Sequence, residues 1–292
     1  MKGRTFDSSC KATYDKYIGG CIFVDHISGY VHIEFQLGFS VIETIRAKQN
    51  FEKFVFNNGV IPITYLTDSG AFKANKFVQH KRDNNQKIQF CGTIAHHQNG
   101  VAERSICTIS NMARSMLLHA PAHWKHDIDA YMWPMAVKYA AHVYNSLPRV
   151  NNFSPSDLFY GIRVPRNKLQ NMHAWGCPVY VLNPSLQSGE KISRWKPLSQ
   201  RGIFCGLSNV HSSEVPQVLN LTTGSITTQF HVVFDDLFTT VHSIEREELP
   251  LSHWNYLCLE NTELIPMDNP SPLSSEWLSG MDPKVHGDNI PY

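Results

Sequence analysis

Two carboxylates stand where a chain can build a metal site. Asp68 ends a short apolar run, Ile63 to Thr67, at an Asp-Ser-Gly turn, and Glu103 falls in the first turn of a long amphipathic segment that opens at Val101. Thirty-four residues lie between them. Magnesium demands oxygen ligands, and phosphoryl transfer uses such ions to activate the attacking oxygen and to stabilise the leaving one. Each acid also has a plainer use. An Asp before Ser-Gly forms turns, and a Glu in a first helical turn answers the helix dipole. Asp25, in Phe23-Val24-Asp25-His26-Ile27-Ser28-Gly29-Tyr30, is a third acid behind an apolar run.

Other side chains suggest contact rather than catalysis. Lys191, Arg194, Lys196 and Arg201, interleaved with Trp195, form the best basic and aromatic cluster. Such a cluster can neutralise phosphates while the indole stacks, and it can equally be an ordinary basic loop. Arg104, beside Glu103, is the better phosphate candidate of the two arginines, Arg104 and Arg114, on the exposed side of the long helix. His119, His123 and His126 have a spacing that resembles a zinc motif, but no cysteine is near and Pro121 interrupts them, so no zinc is expected. His96 and His97, in the loop before Glu103, could touch DNA, though a solvated loop is the plainer reading. The seven cysteines contain no Cys-x-x-Cys pair and read as reduced core thiols of an intracellular protein.

The elements that must position these groups follow from periodicity. Cys21–Val24 is continuously apolar, as in a strand buried on both faces, and Tyr30–Leu37 alternates, with Val31, Ile33, Phe35 and Leu37 on one face. Together they predict an antiparallel hairpin. Ser40 and Glu43 have capping-box spacing for a helix to Phe56 that buries Ile45, Phe51, Phe54 and Val55. A strand at 63–67, a short helix at 74–80 and a strand at 87–90 come next. The helix from Val101 places Ile106, Ile109, Ala113, Met116 and Leu117 on one stripe, and another helix spans about 127–145, with Pro134 near its start or kinking it. Five short β runs then follow, at 178–183, 201–207, 217–221, 225–228 and 231–234, as in a small barrel. A hairpin followed by strand–helix–strand–helix is the order of a ribonuclease-H-like fold.

The 292 residues are 42% hydrophobic and 11% aromatic, enough for a real core, which excludes a wholly disordered chain. No apolar run is long enough to span a membrane, and no apolar stretch behind Met1 makes a signal peptide. The net charge of +1 hides an asymmetry. From His242 onward nine acids face two basic residues, net −7, which leaves +8 for residues 1–241 and suits a polyanionic partner.

The wording around the acids is specific. Thr67-Asp68-Ser69-Gly70-Ala71-Phe72 and His97-Gln98-Asn99-Gly100-Val101-Ala102-Glu103-Arg104 resemble the second and third acidic motifs of copia-type LTR-retrotransposon integrases. The resemblance runs on through Trp133-Pro134-Met135-Ala136, Asn145-Ser146-Leu147-Pro148 and Ser154-Pro155-Ser156-Asp157-Leu158-Phe159. It ends in Trp175-Gly176-Cys177-Pro178-Val179-Tyr180-Val181 and Phe230-His231-Val232-Val233-Phe234-Asp235, which look like that family's SH3-like domain. It covers roughly 18–240, and it departs from the family at Ser69, where Asn is usual, and in lacking the His-His-Cys-Cys zinc module.

The resemblance implies an α/β chain: a ribonuclease-H-like core, with a mixed sheet and flanking helices, over 1–150. A connector at 151–174, an SH3-like β-barrel at 175–241 and an acidic, poorly ordered tail at 242–292 follow. It implies DNA integration by metal-dependent phosphoryl transfer, in which 3′-end processing precedes strand transfer. Asp68 and Glu103 would be catalytic ligands of magnesium or manganese, in a two-metal site if the site is complete. In integrases of this kind the Ser-Gly-Tyr hairpin is built from the second and third strands, so the first catalytic Asp is expected upstream of residue 1. Asp25 as third ligand, or neither, are the alternatives; Asp7 and Asp15 are poor substitutes. Whether this chain is an active enzyme therefore stays open, against a dead DNA-binding remnant or a stand-alone ribonuclease-H-like nuclease. The implied partners are element-end and target DNA and further copies of the chain, with no membrane and no small-molecule cofactor. Nuclear action is implied, otherwise cytoplasmic.

Overall fold

In the computed structural model the described residues are 16–67, 72, 74–90, 99–124, 128, 130–149, 152–163, 169, 171–208, 211 and 214–241, all within one compact unit. The acidic tail from 242, and with it the charge asymmetry, lies outside them.

The two apolar runs form β1 (Gly19–Val24) and β2 (Val31–Gln36), antiparallel from Gly19 opposite Gln36 to Val24 opposite Val31. β1 was expected to be buried on both faces, yet none of its residues is fully buried. The alternation in β2 holds only in part: Val31 is buried and Ile33 and Phe35 are half-buried, but Leu37 is exposed beyond the strand end.

α1 (Val41–Asn57) starts where the capping box placed it, with Ser40 Oγ accepting from the Glu43 amide. Its buried side is not the expected one. Val55 is buried, but Phe51 and Phe54 are half-buried and Lys48 is 1% exposed. The reason lies in its two neighbours. Phe51 stacks on Phe23 of β1 at 4.3 Å, and Phe54 stacks on His32 of β2 at 4.4 Å. One turn away, Lys48 Nζ donates to Glu52 at 2.7 Å, and Glu52 also accepts from Tyr65 and Gln86. Burial pushes the Glu52 carboxyl upward, but these three donors hold it below its ordinary value.

β3 (Thr64–Thr67) and β4 (Lys87–Phe90) pair in parallel, Thr64 opposite Lys87 and Thr67 opposite Phe90, with α2 (Asn75–Asp83) between them in sequence. The core is therefore mixed α/β, in the expected element order. A single mixed sheet was expected; among the described residues the strands form two separate two-stranded sheets, because β1 and β3 are not hydrogen-bonded to each other.

α3 (Gly100–His119) buries Ser105, Ile109, Ala113 and Leu117, a stripe of period four. Ile106, expected in that stripe, is 46% exposed. α4 (Trp133–Ser146) begins with Pro134 in its first turn, so the proline starts the helix and does not kink it. α5 (Pro155–Tyr160) was read only as connector; Ser154 and Asp157 make a full capping box, and Gly161 ends it.

All five β runs are strands: β5 (Pro178–Leu182), β6 (Ser199–Leu207), β7 (Pro216–Asn220), β8 (Ile226–Thr228) and β9 (Val232–Phe234). They pair antiparallel in the order β8-β7-β6-β5-β9, an open sheet where a closed barrel was expected. One apolar cluster runs from Ile109 and Leu117 through Met132 and Ala136 to Trp175 and Phe204. No described helix is long and apolar enough to cross a membrane.

Candidate functional site

In a parallel pair both strands point the same way, so the chain leaves β3 at Thr67 and β4 at Phe90 on one edge. Asp68 is the residue after Thr67, and the segment after Phe90 leads into α3. Open parallel sheets place ligands outside such carboxyl ends. Asp68 itself, with His96, His97 and His126, lies outside the described residues.

Glu103 is exposed in the first turn of α3. Asn99 at the helix start makes no side-chain cap bond. Arg104 is exposed as well, and its Nε donates back to Gly100 O at 3.1 Å, which lays the guanidinium along that first turn.

Asp25 has a different occupation. Its Oδ2 accepts from the Ser28 amide at 2.8 Å and from Ser28 Oγ at 2.6 Å, while its carbonyl accepts from Gly29 N. This is the Asx turn that closes the β1–β2 hairpin. Among the described residues no three His, Cys, Asp or Glu side chains come together as metal ligands.

Lys191, Arg194, Trp195 and Lys196 lie together on an exposed loop before β6, Trp195 at 90% exposure. Arg201, grouped with them by sequence, is placed differently. It sits on β6, donates to Thr240 O at 3.1 Å and lies over the Trp124 ring at 5.4 Å.

His119 and His123 are spent on packing. His123 stacks on Phe238 at 4.4 Å and His119 meets the same ring edge-on at 5.2 Å. Burial, and then His119, hold His123 below its ordinary value. Among the described cysteines Cys177 and Cys205 are buried, Cys21 is half-buried and Cys107 is exposed on α3, contrary to a uniform core role. Cys177, Asp236 and His173 look like a nucleophile, an orienting acid and a base. His173 Nδ1 lies 2.9 Å from Asp236 Oδ2. Cys177 is fully buried, and that burial pushes its thiol well up, away from the thiolate form.

A groove of about 690 Å³ runs between β2, α4, α5 and the ends of β6 and β7, and no candidate site residue lines it. What sequence reading missed is Trp124 and Tyr139, whose polar ends reach across to residues 173–176. For Tyr139, an aromatic residue with one polar atom in the largely apolar α4 was the available signal.

No family model matches the chain, and no curated protein does. Solved structures similar to it include the HTLV-2 integrase catalytic core domain in complex with magnesium. The dimeric form is 21% identical over 54% of this chain and 92% of that one, with a TM-score of 0.38. The trimeric form is 20% identical over 55% and 92%, TM-score 0.39. The simian T-cell lymphotropic virus intasome, in complex with PP2A regulatory subunit B56 gamma, is 14% identical over 78% of this chain and 77% of that one, TM-score 0.41.

Proposed function

We propose that this chain is the catalytic core and C-terminal part of a copia-type retrotransposon integrase, with a ribonuclease-H-like core and an SH3-like sheet. Its substrate is DNA, and its reaction class is phosphoryl transfer, end trimming by water followed by attack of the recessed 3′-hydroxyl on a target phosphodiester. The observation that supports this is the parallel pair of β3 and β4: β3 ends at Thr67, next to Asp68 in sequence, β4 ends at the same edge, and Glu103 lies in the first turn of α3, the next described helix. Carboxylate oxygens fit a magnesium or manganese ion, and Asp68 and Glu103 are the residues to hold it. That ion would lower the cost of the charge that develops on the transferring phosphate. Arg104 binds an adjacent phosphate, and Lys191, Arg194, Trp195 and Lys196 hold duplex DNA further out. The chain works in the nucleus, as a multimer on DNA ends.

A catalytically dead remnant is favoured by a separate observation. Asp25 Oδ2 is committed to its turn, which leaves Asp68 and Glu103 as the acids proposed for the site. Among the described residues β1 and β3 each pair along one edge only, and Ile63 and Leu66 are exposed beside a parallel pair, which normally is covered on both faces. Those edges support a further strand between them, carrying the first acid.

A gel assay on labelled duplex ends with manganese separates the readings. Joined products establish an integrase, and cut but never joined products establish a nuclease. Salt-sensitive DNA binding with neither product establishes the remnant. In a chain that joins, Glu103→Gln is expected to lose at least about 100-fold in rate with DNA binding kept; unchanged joining removes Glu103 from the site.

A further inference from the structure

The C-terminal sheet is locked to the core by a buried joint. Trp124 Nε1 donates to Gly176 O at 2.7 Å, both out of contact with water. Tyr139 of α4 donates its hydroxyl to His173 O at 2.7 Å and accepts from His173 N at 3.1 Å. Gly176, at φ +81°, packs so tightly that a Cβ there would stand 2.3 Å from the Cβ of Ala120. Gly206, at φ +124°, lets β6 pass against the Tyr139 ring, whose edge meets Phe204 at 5.2 Å. Paired modules move relative to one another unless their interface is large and apolar, and this one belongs to the same apolar cluster as α3 and α4.

We infer that Trp124, Tyr139 and Gly176 are positioning residues: they hold the basic loop with Lys191, Arg194, Trp195 and Lys196 at a set spacing from Glu103 and Arg104, so that one DNA is gripped at two fixed points. The rigidity rests on the joint alone; the DNA partner rests on the function proposed above. Fixed spacing converts the second contact into an intramolecular one, and affinity rises without any new contact.

Calorimetry and duplex binding test the two halves separately. The whole chain is expected to unfold in one transition, with equal calorimetric and van't Hoff enthalpies. Two transitions in the unaltered chain overturn the rigid joint. Gly176→Ala should split the transition. Should it fail to fold, Trp124→Phe with Tyr139→Phe removes both polar clasps, keeping the Tyr139 ring and replacing the indole by a smaller aromatic ring. A duplex of about 30 base pairs should bind on the order of 100-fold more tightly than one of about 10. The double variant should lose most of that gain and keep its affinity for the short duplex. A gain that survives overturns the positioning role. Failure of the unaltered chain to bind either duplex overturns the DNA half, while the single transition still decides the joint.

Discussion

Lys48 is the residue whose role most departs from its type. A lysine on a helix normally lies in water, and this one is 1% exposed, with its ammonium 2.7 Å from Glu52 and 5.4 Å from the centre of the Tyr65 ring. Removing Lys48 takes the opposite charge from Glu52 and leaves it with the neutral donors Tyr65 and Gln86. Lys48→Ala is therefore expected to cost about 3 kcal/mol, read as a lower urea midpoint at unchanged slope. An unchanged midpoint would mean that water already solvates Glu52. Lys48 was invisible as a core residue in the sequence because Tyr65, whose ring its ammonium faces, and Gln86, which shares Glu52 with it, come from the segment after the helix. Asp68, Glu103 and Asp25 were visible at once, since acids at strand ends and helix starts are local features. What Asp25 does was decided by Ser28, whose amide and hydroxyl both turn onto it.

Motifs that read as family wording turn out, at the scale of elements, to be joints. Asn145 grips the free edge of β2: its Oδ1 accepts from Val31 N at 2.9 Å, and its Nδ2 donates to Val31 O at 2.7 Å. A side chain thus replaces one rung of a strand and shields the edge from other chains. Asn145→Ala leaves both groups buried and unpaired, so a loss of about 2–3 kcal/mol is expected. Concentration-dependent association should accompany it, measurable by sedimentation; a stable, monodisperse variant would show that the rung is dispensable. The end of β9 is held by Asp235. Against the upward push of desolvation, donors on Thr240 and Thr239 together bring its carboxyl down to about 2. A depressed carboxyl stabilises the fold above its unfolded value, near 3.9, and that stability is lost as pH falls through about 2. Asp235→Asn should flatten the stability curve between those values and lower stability at pH 7, where the ionised carboxyl contributes in full. The element order and most boundaries were legible, because periodicity and caps act within a few residues. Burial of β1 and of Ile106 was misjudged, because an apolar side chain is covered only where a neighbour reaches it.

At the scale of the whole molecule, the basic loop and the α3 N-terminus together should make binding strongly salt-dependent. Changing Lys191, Arg194 and Lys196 to Ala, one after another, should lower the log–log slope of affinity against salt by about 0.9 each, whereas Arg201→Ala should lower stability instead, since its guanidinium is engaged by Thr240 and Trp124. Equal slopes for all four variants would remove the loop from the interface. By itself the sequence determined the α/β class, the run of elements, the five late strands and the carboxylates worth watching, all of which depend on contacts a few residues long or on motif wording. Only the tertiary structure decided that Lys48 is buried, that Arg201 serves the joint and that Asp25 serves a turn. It also decided that the late strands lie on the same apolar core as α3 and α4. Those outcomes depend on which distant side chain arrives to share a buried space, and no local spacing encodes that.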